Sequence, residues 1–101
     1  MAKGKKYTKV IDEKFIVSFK NGGGLIKFEA WEYQDKIVKY NMAYINKEIF
    51  PNDNGRVIGY DNSHNFHHKH YLGEIYELDD FINYQDLVER FKEDIKEFIK
   101  W

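Results

Sequence analysis

Polar and apolar side chains alternate with a period of two through four separate stretches of this chain, each closed by a turn signal. Such alternation puts successive side chains on opposite faces of a β-strand. In residues 14–19, Phe15, Val17 and Phe19 oppose Lys14, Ile16 and Ser18. Asn21-Gly22-Gly23-Gly24 follows, and Asn and Gly are the residues that accept positive φ in a tight turn. Residues 25–33 alternate again, with Ile26, Phe28 and Ala30 opposite Lys27, Glu29 and Trp31, until Gln34-Asp35 breaks the pattern. Residues 37–50 read as one long strand with Val38, Tyr40, Met42 and Tyr44 on one face. Pro51-Asn52-Asp53-Asn54-Gly55 is the next turn, and residues 56–62 form a short strand in which Arg56, Ile58 and Tyr60 share a face.

The period then changes. Leu87, Phe91, Ile95 and Phe98 recur at helical spacing, with Val88 and Ile99 beside them. That is one apolar stripe on an α-helix, suited to packing on a sheet. Asn83 can cap its start, with Asp86 in the third helical position, and Asp86–Arg90 is a favourable pair four residues apart. Strands adjacent in sequence and joined by short turns form a meander most simply. The expected fold is therefore α+β: an antiparallel meander of four to five strands with a C-terminal helix packed on one face.

Chain length and composition fit one domain over residues 1–101. Aromatic residues make up 18% of the 101, which lets a short chain bury large areas per side chain. Residues 1–7 are expected to be a flexible lysine-rich lead, and their charge is not followed by the apolar run of a signal peptide. No stretch approaches the roughly 20 apolar residues of a membrane-spanning helix. There is no cysteine, which excludes disulfides and thiolate metal sites. Small secreted domains usually need disulfide staples, so a cytoplasmic location is expected. The net charge of −1 argues against general coating of nucleic acid but permits a local basic site.

All four histidines fall between His64 and His70, beside Asp61 and Lys69. Histidine exchanges protons near neutral pH without help. Three readings of the cluster stand side by side. In the first, His68 and His70 lie two residues apart on one side of an extended backbone and serve as acid and base. Asp61 then orients a ring, and Lys69 or Arg56 steadies an anion. In the second, His68 and His70 with Asp61 ligate a divalent ion through nitrogen and oxygen. In the third, the segment is a polar loop whose histidines cap backbone groups or are merely solvated. Arg56 is one of only two arginines, and its fork suits phosphate or carboxylate. Its alternative role is a structural ion pair.

Three blocks taken together resemble the TumE family of small toxin–antitoxin proteins. They are Lys39-Tyr40-Asn41-Met42-Ala43-Tyr44-Ile45, then Arg56-Val57-Ile58-Gly59-Tyr60-Asp61-Asn62, then His68-Lys69-His70 with Gly73 soon after. The Glu74-Ile75-Tyr76-Glu77-Leu78 link and the closing amphipathic helix follow in the same order, so the resemblance spans residues 14–98. Here the loop before His68 lacks glycine and carries His64 and His67, which the resemblance does not reach. The resemblance implies a toxin paired with a cognate helix-turn-helix antitoxin. By analogy with other small β-sheet toxins it implies RNA cleavage. On that expectation no cofactor is needed. His68, His70 and Asp61 are the catalytic candidates, and Arg56, Tyr60, Asn62 and Lys69 are the substrate-binding candidates. The N-terminal lysines would track the RNA backbone, and the aromatic sheet face leaves homodimerisation open. A metal-dependent nuclease or hydrolase using His68, His70 and Asp61, and a non-enzymatic binding module, are the alternatives.

Overall fold

Six strands pair in chain order into one antiparallel sheet in the computed structural model, which describes residues 6–100. They are β1 (Thr8–Ile16), β2 (Leu25–Tyr33), β3 (Lys36–Ile45), β4 (Arg56–Asp61), β5 (His68–Tyr71) and β6 (Glu74–Glu77). A single α-helix, α1 (Tyr84–Asp94), follows and ends in a 3-10 turn at Ile95–Glu97. Lys3 and Lys5 of the expected lysine-rich lead lie outside the described residues. Among the described residues no helix is long and apolar enough to cross a membrane.

The α+β meander is as the alternation predicts, but the sheet has six strands instead of four to five. The addition is the β5–β6 hairpin. Its two-residue turn, Leu72-Gly73, has φ of 47° and 88°, the geometry that matches strand twist in tight hairpins. A leucine in that turn departs from the usual Asn-Gly signal. β6 is an edge strand exposed along its whole length, so it carries no apolar face to betray it. The first strand also differs from expectation. It begins at Thr8 and ends at Ile16, because β2 offers partners only over that range. A bulge between Lys9 and Ile11 interrupts its period. Val17 N–H then donates to the Gly24 carbonyl, and a tight turn takes up Phe19, which is left exposed. The third strand stops at Ile45, where the Asn46 carbonyl accepts from the amides of Ile49 and Phe50 and turns the chain.

Residues directly opposite across a sheet share a face. The register thus assigns Ile26, Phe28, Ala30, Tyr40, Met42, Tyr44, Ile58, Tyr60, Lys69 and Tyr71 to one face. Onto that face α1 presents Leu87, Val88 and Phe91, with Ile95 beyond its end. Phe91 meets Phe28 and Tyr60 edge-on, with ring centroids 5.5 and 6.3 Å away. Each such fully buried side chain stabilises the fold by about 1.5–3 kcal/mol. The Asn83 side chain accepts the Asp86 amide at 2.8 Å and starts the helix, and Arg90 Nε donates to Asp86 at 2.9 Å. Tyr44 anchors the core to the glycine turn: its hydroxyl donates to the Gly23 carbonyl at 2.8 Å and accepts from Asn46 at 3.1 Å.

Candidate functional site

The opposite face of the sheet carries the other parity. Two rows cross it, Asn41, Asp61, His68 and Glu77 in one and Ala43, Gly59, His70 and Ile75 in the next. Asp61 therefore stands beside His68 by strand pairing and diagonal to His70. His68 Nε2 lies 2.9 Å from Asp61 Oδ1, and His70 Nε2 lies 3.3 Å from Asp61 Oδ2. The imidazole rings meet edge to face at 4.8 Å. All three residues are buried.

Arg56 joins them by an irregularity. Plain alternation would put it with Tyr60, but a register shift between Tyr44 and Ile45 resets the start of β4. The Arg56 side chain lies over Gly59 instead, and its guanidinium reaches Asp61 at 3.4 Å and Asp53 at 3.0 Å. The absence of a side chain on Gly59 makes the space.

The carboxylate of Asp61 is held ionised. Burial alone would raise its pKa. Two hydrogen bonds from Ser63, from the hydroxyl at 2.8 Å and the amide at 3.1 Å, outweigh that, helped by the positive charge available to His68 and His70. The result is a pKa below the ordinary aspartate value. Ser63 was not among the residues singled out in the sequence. Its signal was Asp-x-Ser after a strand, the spacing at which an aspartate accepts from the residue two ahead.

The two histidines stand in different surroundings. A carbonyl oxygen only accepts, so the 3.1 Å bond between His68 Nδ1 and the Phe66 carbonyl fixes a hydrogen on Nδ1. Its Nε2 then faces Asp61 Oδ1 at 2.9 Å. His70 is pushed toward its neutral form. Burial and then the charge of Arg56 lower its pKa, against the pull of Asp61, so the ring is neutral at pH 7. Its Nε2 stands 3.3 Å from Asp61 Oδ2, which leaves Nδ1 as the nitrogen to take a proton.

The remaining candidates are placed elsewhere. Tyr60 and Lys69 lie on the helix face. The Tyr60 hydroxyl donates to Asp94 of α1, and Lys69 pairs with the same carboxylate at 3.0 Å. Asn62 extends the β3–β4 pairing, accepting from the Tyr40 amide at 3.1 Å and donating to the Val38 carbonyl at 2.9 Å. His67 stacks on Phe81 at 3.6 Å and accepts the Tyr40 hydroxyl at Nδ1, 2.7 Å away. Burial raises the Tyr40 pKa and lowers that of His67, which fits a protonated phenol donating to a neutral ring. The side chain of His64 lies outside what the structure describes. The arrangement thus brings one ionised carboxylate, two imidazoles and one guanidinium together on the sheet face opposite α1.

A family model described as Toxin TumE matches residues 9–99. No curated protein and no solved structure matches the chain.

Proposed function

The chain belongs to the TumE toxin family, and from that membership we propose that it acts by cutting RNA without a metal ion, with His68 and His70 as the acid–base pair. The observation that carries the reading is the contact of one ionised carboxylate, Asp61, with both imidazoles, beside a guanidinium and on the sheet face opposite α1. His70 Nδ1 removes the proton of a ribose 2′-hydroxyl. The 2′-oxygen bonds to the adjacent phosphorus, and the 5′-oxygen leaves with a proton supplied from His68 Nε2. The products are a 2′,3′-cyclic phosphate and a 5′-hydroxyl, so one proton is taken and one returned. Asp61 orients the His68 ring. Arg56 is the group that grips the phosphate, since its guanidinium is partly exposed and its fork matches the oxygens. Tyr60, Lys69 and Asn62 have structural work in this reading. No cofactor enters it.

As a toxin the chain has an antitoxin partner. We take that partner to be a helix-turn-helix protein, and the site of action to be the cytoplasm. The test is incubation of untagged protein with RNA in excess chelator. Cleavage to cyclic-phosphate ends that is lost in His68→Gln and His70→Gln supports the reading. Growth arrest that persists in both variants instead marks a toxin that acts by occupying its target.

One observation favours a second reading. A ligating atom from each of Asp61, His68 and His70 lies within 4.8 Å of the others, the spacing of a site for a divalent ion. Arg56 beside the same carboxylate weakens it, because a guanidinium and a metal ion compete for one anion. Metal found in untagged protein, with activity abolished by chelator and restored by that ion, would replace the first reading with this one.

A further inference from the structure

Helix α1 lies over β3 and β4, with Phe91 reaching Phe28 of β2, and a groove opens toward β1. Six strands at about 4.8 Å span roughly 24 Å, whereas one helix with its side chains covers about 10–12 Å. The groove has a volume of about 670 Å³. Its apolar wall is Ile11, Phe15, Val17 and Phe28 from the sheet side and Val88 and Ile99 from the helical side. Phe15 is 50% exposed, and neighbouring Ile16 is 88% exposed. Apolar surface of this kind on a small chain marks a binding site.

We propose that this groove receives an amphipathic helix of the cognate antitoxin, apolar on the side laid against the sheet and acidic along its flank. The shape fits a helix, because α1 forms one wall and a second helix beside it would complete a two-helix layer over the sheet. Strand addition fits less well: the free edge of β1 is bulged and carries Lys9 and Lys14, devices that blunt edge pairing. The charge sets the sign of the partner. Lys92 and Lys100 line the groove against the single lining acid Glu13, although Lys92 also pairs with Glu89 of its own helix at 3.8 Å, and Lys20 adjoins it in the turn where the Lys100 amide donates to the Asn21 carbonyl. The groove and the Asp61–His70 cluster lie on opposite faces of the sheet, so this helix docks without touching the cluster. The inference rests on the toxin assignment and not on RNA cleavage.

The test is titration of the full chain with its co-encoded antitoxin by calorimetry, together with growth assays on co-expression. Phe15→Glu and Lys92→Glu should each weaken association about tenfold or more, as loss of a central apolar anchor or a complementary charge does. Both variants should stay toxic and escape neutralisation. Lys27→Glu, on the other face, should bind as the parent does, and His70→Gln should lose toxicity while still binding antitoxin. The Lys92 side chain is 47% exposed and pairs with Glu89 of the same helix, so circular dichroism of that variant separates lost binding from lost folding. Unchanged affinity in both groove variants overturns the proposal. So does light scattering that shows a dimer of this chain dissociating on Phe15→Glu, which would make a second copy the occupant.

Discussion

Arg56 reaches Asp61 only by passing over Gly59: a Cβ built on Gly59 would stand 2.8 Å from Arg56 Cδ and 3.1 Å from the Met42 carbonyl oxygen. The backbone oxygen cannot retreat, so the arginine must. Gly59→Ala should therefore lift the guanidinium off Asp61 and cost about 1–3 kcal/mol of stability through overpacking. RNA cleavage should fall about as far as in Arg56→Ala, tenfold or more, since both remove the same anion contact. Urea denaturation and initial cleavage rates measure the two effects. Full activity in Gly59→Ala would dissociate the arginine from the site.

The lowered pKa of His70 gives a signed pH dependence. Its folded value lies below the ordinary histidine value of 6.5, so the unfolded chain takes up the proton first as pH falls. The stability this group contributes is present above pH 6.5 and is lost on acidification through the folded pKa. NMR titration of the His70 ring should show a midpoint below 6.5. Arg56→Gln should raise that midpoint, because the guanidinium charge is one of the causes of the shift.

Glu29 predicts a second acid transition, away from the cluster. A hydrogen bond from Lys9 at 2.8 Å is the chief cause that lowers its pKa from 4.5 to about 2, with Asn41 and Lys27 assisting against burial. A depressed carboxylate stabilises the fold above its unfolded pKa, and the benefit disappears as pH falls from 4.5 through about 2. The difference in melting temperature between the parent and Glu29→Gln should thus shrink over that interval. A difference independent of pH would contradict the pairing.

Helix-face residues should behave unlike site residues. Tyr60 gives its hydroxyl hydrogen to Asp94, and burial followed by that bond raises its pKa well above the usual tyrosine value. Tyr60→Phe should cost about 1.5–3 kcal/mol, the worth of a hydrogen bond to a charged group, and leave the rate of cleavage unchanged. A large loss of rate at parental stability would return Tyr60 to the site.

The sequence made parts of this legible for a simple reason. His68 and His70 have equal parity on β5, and strand pairing brings them to Asp61. The same parity rule excludes Tyr60 and Lys69 from that cluster, since each adjoins a member of it in a strand and must face the other way. Grouping them with Asp61 followed proximity in sequence over alternation. Arg56 could not be placed by parity, because the irregularity that turns it appears only when β3 and β4 pair. The β5–β6 hairpin was obscured because its edge strand has no buried face. The helix was legible because its stripe and its Asn83 cap are both local.

The central claim is that His68 and His70 cut RNA without a metal ion, and kcat/KM for RNA cleavage in excess chelator tests it most directly. The parent should keep full activity under chelation, and His68→Gln and His70→Gln should each fall by about 10²–10⁴, the range for loss of an acid or base. Activity that vanishes in chelator and returns with a divalent ion, or that survives both substitutions, would contradict it.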